Sequence, residues 1–242
     1  MAATTEALRE LAAVARVPVG LENLALALSE GEVDAQPAMI ARTLDEVDGV
    51  MLLDLHNVWC QAVNFGRDAR ELAGRYPLGR VRQIHVAGGS WSESALGERV
   101  RRDTHDGAVP PDVLDLLAWV IPRCPALELV VLERIPDALV SQADHAAWRD
   151  EWRAVAEVVH RAAREPVIAP PAPPQMSLDD RVTREDVARY QDAQIAVLLD
   201  GGGVSELLAL PDAAPFRDEV AAWQPRFVEV AQWLARRWSV VG

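Results

Sequence analysis

Val50-Met51-Leu52-Leu53-Asp54-Leu55-His56-Asn57 decides the reading of this chain, because a short apolar run ends there in a carboxylate, an imidazole and an amide. Period-two alternation would put Asp54 and His56 on one face of a strand, and a turn after His56 would let Asn57 swing back toward them. A turn stabilised by the Asp and Asn side chains is the plain alternative. The arrangement recurs along the chain. Residues 17–21 lead into Glu22 and Asn23, residues 81–84 into His85, and residues 127–132 into Glu133, while Asp103-Thr104-His105 follows the His85 segment in a loop. Short runs rich in Val, Ile and Leu, separated by helical patterns, read as buried parallel strands joined by right-handed crossovers. Ligand sites in parallel α/β architectures form at the carboxyl ends of the strands. These side chains are therefore expected to converge in a metalloenzyme site.

Each of them also has a simpler role open to it. Glu22 suits a helix cap or a loop hydrogen bond. His85 suits a satisfied core histidine, although Gly88-Gly89 beyond it leaves room for a ligand to approach. Asp103 and His105 can share a metal, or Asp103 can fix the tautomer of His105 acting as a base. Glu133 needs a counter-charge, from a metal or from Arg134. His145 and His160 lie outside this set and are expected on the surface. Cys60 and Cys124 show no Cys-x-x-Cys spacing, which argues against structural zinc. Mixed carboxylate, amide and imidazole donors suit iron or manganese better.

The 242 residues carry a formal net charge of −13, which disfavours nucleic-acid and anionic-membrane partners. No apolar run is long enough to span a bilayer, and the N-terminus lacks the pattern of a signal peptide. Two cysteines cannot build a disulfide framework, so a reducing cytoplasm is expected. Helical patterns cover residues 6–15, 37–48, 67–75, 110–120 and 141–163. Pro166, Pro170, Pro171, Pro173 and Pro174 then mark a linker, placed at residues 165–176. Helices are expected again over 177–199 and 214–238, with Gly201-Gly202-Gly203 as a loop. This gives a metal-binding α/β domain over residues 1–164 and a small helical appendage over 177–242. Four strands cannot close an eight-stranded barrel, and an open sheet leaves edges that proteins normally cover.

The ordered series Leu21-Glu22-Asn23, then Leu52-Leu53-Asp54-Leu55-His56-Asn57-Val58-Trp59 with Asn64-Phe65-Gly66, then Ile84-His85-Val86-Ala87-Gly88, Asp103-Thr104-His105 and Leu132-Glu133 resembles the multinuclear non-haem iron-dependent oxidative enzymes. This is the family of the methanobactin-biosynthesis enzyme MbnB, and the resemblance covers roughly residues 15–140. It implies a TIM-barrel-like fold, two or three irons with dioxygen as co-substrate, and oxidative modification of cysteine-containing ribosomally made peptides. A precursor peptide and a small helical partner protein are the implied partners. Carried over by position, it makes Glu22, Asn57, His85, Asp103, His105 and Glu133 metal ligands. Asp54 and His56 become catalytic residues that ligate or support the ligands. Two departures are expected to matter: Gly89 stands where the family often has a histidine, and the barrel strands upstream of Glu22 have no counterpart. The barrel is therefore expected to be incomplete, its C-terminal portion only, unless another chain completes it. Competing readings are a xylose-isomerase-like divalent-metal isomerase or hydrolase, and a truncated non-catalytic homologue that binds a peptide or partner.

Overall fold

The computed structural model describes residues 2–163, 167–169 and 184–239. Most of the expected linker at 165–176, and the start of the helix expected from residue 177, lie outside the described residues. Strands β1 (Gly20–Glu22), β2 (Val50–Asp54), β3 (Val81–Val86) and β6 (Leu129–Leu132) form one parallel sheet in the order β1-β2-β3-β6. Strands β4 (Trp91–Glu93) and β5 (Arg99–Arg101) pair antiparallel as a separate hairpin. The fold is α/β and TIM-barrel-like, but the four-stranded sheet does not close.

Helices α1 (Ala2–Ala15), α2 (Glu30–Val47), α3 (Leu55–Phe65), α4 (Ala69–Gly74), α5 (Pro111–Val120) and α6 (Gln142–Ala162) alternate with the strands. One apolar core joins Met51 and Leu53 of β2, Val81, Ile84 and Val86 of β3, and Ile40, Leu44, Val58, Leu117 and Val158 from the helices. The opposite face of the sheet behaves differently. Register aligns Glu22 with Leu52, Leu52 with Gln83, Asp54 with His85 and His85 with Val131. In a parallel sheet aligned residues point the same way, so one face carries Glu22, Asp54, Gln83, His85 and Val131. That face is only partly buried at Gln83, His85 and Val131, and Leu129 is exposed. The strands were expected to be buried on both faces; instead one face packs on helices and the other is half open.

Two of the helix starts that differ from the sequence reading bear on the site. Helix α2 begins seven residues before Pro37, which sits inside it. Its true start is capped by Ser29, which accepts from Glu32 N–H at 3.2 Å, while Glu32 accepts from Leu28 N–H at 2.6 Å. That Ser-x-x-Glu pattern is a capping signal in its own right. The second difference lies in the decisive stretch. The strand ends at Asp54 and a helix starts at Leu55, so His56 and Asn57 belong to the first turn of α3 and not to a strand face. Val63, Asn64 and Phe65 complete the same helix, and Gly66 caps it at φ 63°.

Helices α7 (Arg184–Leu199), α8 (Val204–Leu208), α9 (Arg217–Ala221) and α10 (Pro225–Ser239) gather round a second core that includes Tyr190, Leu207, Val220, Trp223 and Val228. The single helix expected over 214–238 is broken before Pro225, because proline disfavours helical geometry in the residue it follows. A third cluster joins Phe227 and Val230 of α10 to Val100 of β5, with Leu26, Leu28 and Phe65 packed against it. Arg226 also donates to the Asn64 carbonyl at 2.8 Å, and Gln224 N–H to the Leu28 carbonyl at 2.8 Å. The helical unit therefore packs on the α/β domain through α10. No described helix is long and apolar enough to cross a membrane.

Candidate metal centre

The site begins with the double duty of Asp54. As the last residue of β2 it also caps α3, its Oδ1 accepting from Asn57 N–H at 2.6 Å. Its Oδ2 is buried and has no hydrogen-bond partner among the described residues. Asn23 fixes the backbone around it: Asn23 Nδ2 donates to the Asp54 carbonyl at 2.9 Å, and Asp54 N–H donates to Asn23 Oδ1 at 2.8 Å. Asn57 Nδ2 returns to the Asn23 carbonyl at 2.9 Å, which leaves Asn57 Oδ1 buried and unpartnered. Three interlocked amide contacts thus join the ends of β1 and β2 and the start of α3. Asn23 is the residue whose importance the sequence reading understated.

Around Asp54 two groups of donors assemble. Ligand atoms of Glu22, Asp54 and His85 lie within 4.8 Å of one another, and so do those of Asp54, His105 and Glu133. Asp54 belongs to both. His85 Nδ1 is 3.1 Å from Glu133 Oε1, and Glu133 Oε2 is 3.6 Å from His105 Nε2. Arg134, the other candidate partner for Glu133, pairs with Glu151 at 2.5 Å instead. Asp103 serves two histidines, with Oδ1 at 2.7 Å from His56 Nδ1 and Oδ2 at 2.8 Å from His105 Nε2. His56 is fully buried, stacked on Trp59 at 5.6 Å, and belongs to neither donor group; its ring meets Asp103. Gln83 contacts His85 Nε2 at 2.6 Å. His145 and His160 are exposed and belong to neither donor group.

The loop that carries Asp103 and His105 is held tightly. Ser90 N–H donates to Thr104 Oγ1 at 2.8 Å, and Ile135 N–H to the His105 carbonyl at 3.0 Å. His105 itself adopts φ 55°, a left-handed conformation uncommon for a non-glycine residue and often found where function constrains the backbone. Gly88 and Gly89 were expected to make room for a ligand; the chain itself fills that room. A Cβ on Gly88 would lie 2.1 Å from the Ala108 carbonyl oxygen, and one on Gly89 2.2 Å from that of Arg102. A histidine at position 89 does not fit this loop.

Electrostatics mark the same residues. Burial, reinforced by the charge of Asp103, lifts the Asp54 carboxyl well above its usual range, against the pull of the Asn57 N–H. Lost hydration also lifts Glu22; His85 opposes this, and the charges of Glu133 and Asp103 add to it. Asp103 goes the other way: burial works against its ionisation, but the hydrogen bonds and charges of His105 and His56 prevail and hold it at about 2. The hydrogen bond to Asp103 lifts His105 to about 9, against its partial burial. Burial pushes the Cys60 thiol up, so although its Sγ is 3.8 Å from His56 Nδ1 it stays protonated.

The sign of the resulting pH dependence follows. In metal-free protein the Asp103–His105 pair is fully stabilising between the usual values of 3.8 for Asp and 6.5 for His. That contribution fades as pH falls toward about 2 and as it rises through about 9. The thermal stability advantage of the wild type over Asp103→Asn is expected to be larger at about pH 6 than at about pH 10. An equal advantage at both would show that the pair is not ionic.

The residues present fit a metal. Carboxylates clustered this closely repel one another unless a cation intervenes, and the donors are oxygen and nitrogen without thiolate, as hard or borderline cations prefer. Asp54 Oδ2 and Asn57 Oδ1 are buried acceptors without a hydrogen-bond partner among the described residues, a need that a bound cation or an ordered water meets.

Known proteins bear on this site. A family model described as RiPP precursor modification enzyme MbnB/TglH/ChrH matches residues 1–158. Among curated relatives, a UPF0276 protein of Pseudomonas aeruginosa is 33% identical over 130 residues, covering 53% of this chain and 44% of its own. A UPF0276 protein of Bordetella pertussis is 42% identical over 71 residues, 29% of this chain and 25% of its own. One from Rhizobium meliloti is 30% identical over 127 residues, 52% of this chain and 41% of its own. In each of these the matched stretch spans less than half of the relative's length.

Proposed function

Because the chain belongs to the MbnB/TglH/ChrH family of RiPP precursor modification enzymes, we propose that it is an iron- and dioxygen-dependent enzyme that oxidatively modifies a cysteine-containing, ribosomally made precursor peptide. The observation that carries this reading is the buried, unpartnered Asp54 Oδ2 shared by two donor groups. Glu22 and His85 would hold one iron with Asp54, and His105 and Glu133 a second; Asn57 Oδ1 adds a neutral oxygen donor. Iron bound there would supply dioxygen activation and removal of hydrogen from a substrate cysteine.

The other residues prepare this site. Asn23 sets the position of Asp54 through both of its backbone groups. Asp103 accepts from His105 and His56, which fixes the His105 ring and directs its remaining donor capacity. Asp103 and His56, expected as a ligand and a catalytic residue, are read here as positioning groups. The half-open sheet face gives a peptide access to the centre. The unpaired edges β1 and β6 are where a chain completing the barrel would pair. Two free, buried cysteines suit a reducing cytoplasm.

An isomerase or hydrolase running on magnesium or manganese would use the same oxygen and nitrogen donors, and a peptide-binding homologue without catalysis would need no metal. Elemental analysis of protein purified without oxygen separates these readings. About two irons per chain are expected from the two donor groups, lost in Glu22→Ala, His85→Ala and Glu133→Ala but kept in His145→Ala. Iron should drive dioxygen consumption when a cysteine-containing precursor peptide is present. Absence of stoichiometric iron in the wild type, or its retention in all three variants, would refute the assignment.

A further inference from the structure

We propose that the cleft between the β4–β5 hairpin and α10 binds an acidic segment of the peptide substrate, its carboxylates held by Arg102 and Arg226, and delivers the neighbouring residues to the metal centre. This rests on the peptide-modifying function proposed above. The cleft encloses about 730 Å³, and Arg102, Arg226, Arg236, Trp233, Glu93 and Glu229 are among its lining residues. That volume suits a few side chains and no folded partner.

Arg102 is the centre of the argument. It is half-buried, yet no carboxylate of the described residues lies within ion-pair distance of it. Among the described residues its side chain makes one hydrogen bond, from Nη1 to Ser92 Oγ at 3.1 Å. Its guanidinium lies 4.1 Å from the ring centre of Trp233, and Arg237 reaches the same ring at 5.1 Å. Burial and the charge of Arg237 work against the charged form of Arg102, and the charge of Asp106 only partly offsets them. Burying a guanidinium without a counter-charge is costly, and a ligand carboxylate supplies one in the bidentate geometry arginine favours. Arg226 commits Nε and Nη2 to Gln224 and Asn64, leaving Nη1 for a ligand. Such a basic pocket is unusual in a chain of net charge −13.

Its position links it to the site. Arg102 immediately precedes Asp103, and its N–H donates to the Ser90 carbonyl at 3.0 Å, next to the Ser90–Thr104 contact that anchors the Asp103–His105 loop. Glu229 accepts from Ala95 N–H at 2.8 Å and so pins the hairpin to α10. A peptide seated here runs toward the open sheet face. Nucleic acid is disfavoured by the overall negative charge.

The test uses the full chain with iron loaded and three probes: a short acetylated and amidated peptide of alternating Asp and Ser, its Asn counterpart, and inorganic phosphate. Calorimetry should show the Asp peptide binding at least about tenfold more tightly than the Asn peptide, less so at high salt. Arg102→Gln should weaken it by about tenfold or more, with partial recovery in Arg102→Lys. Glu93→Gln should tighten it, a gain that misfolding cannot produce. Equal binding of the two peptides, or unchanged binding by Arg102→Gln, overturns the proposal. Phosphate competing as well as the Asp peptide overturns it in favour of a free-anion site. Iron content is measured on the same samples. Iron-loaded protein that ignores the Asp peptide sinks the cleft alone, whereas protein without iron sinks the function reading.

Discussion

Asp54→Asn is expected to lose iron by more than about 100-fold in affinity while leaving the metal-free protein as stable as the wild type or more so. Removal of groups that merely support ligands costs about 10- to 100-fold in metal affinity, and Asp54 belongs to both donor groups. The same residue is also a cap, which would ordinarily make its replacement destabilising. Asparagine caps helices about as well as aspartate, so its side-chain oxygen can keep the 2.6 Å contact from Asn57 N–H. What disappears is a fully buried carboxylate oxygen without a partner, crowded by the charges of Asp103, Glu22 and Glu133. Metal titration under anaerobic conditions and thermal unfolding of the metal-free proteins measure the two halves separately. Wild-type iron content in the variant would remove Asp54 from the centre. A large loss of metal-free stability would make its role structural.

Phe227→Ala should destabilise the protein by about 3–5 kcal/mol, the range for emptying a large aromatic site in a core. Phe227 is fully buried, stacks on Phe65 at 4.7 Å and shares a cluster with Val100 and Val230. Its neighbours come from α3, the β4–β5 hairpin and the loop after β1, so the damage should be local in kind. Amide exchange is expected to rise in α10 and the hairpin first, while α5 and α6 stay protected around Leu117 and Val158. Iron should still bind, because none of its candidate ligands lies in that cluster. Uniform loss of protection across the chain would mean that α10 is part of one cooperative unit with the sheet.

Much of this arrangement can be read from the chain because burial forces it. Four apolar runs had to be strands in a parallel sheet, and polar residues at their ends had to meet on one side. The register that puts Asp54 beside His85 includes a shift between Met51 and Leu52 that the runs do not show. What escaped was the local competition at the junctions. In Asp54-Leu55-His56-Asn57 the alternation suggested a strand through His56, but the capping power of Asp54 ended it two residues earlier and put His56 in a helix. Pro37 looked like a helix start because proline is tolerated there, whereas Ser29 and Glu32 had already started the helix. The β4–β5 hairpin was also missed. Its strands are three residues each, too short to show a period, and only Gly97, at φ 77°, marks the turn. Whether Glu133 meets Arg134 or the histidines was undecidable locally, since Glu151, which claims Arg134, lies a helix away in sequence.

The glycine pair at 88 and 89 has a bearing on how this protein can change. Neither position accepts even a methyl group without moving the backbone that carries Asp103 and His105. The inner wall of the centre is thus closed to variation by side-chain replacement, in evolution or in a mutant library. The hairpin between residues 91 and 101, where Trp91 and Leu96 stand exposed, carries no such restriction. On the proposed function, a protein built this way can exchange the peptides it meets while its metal chemistry stays the same.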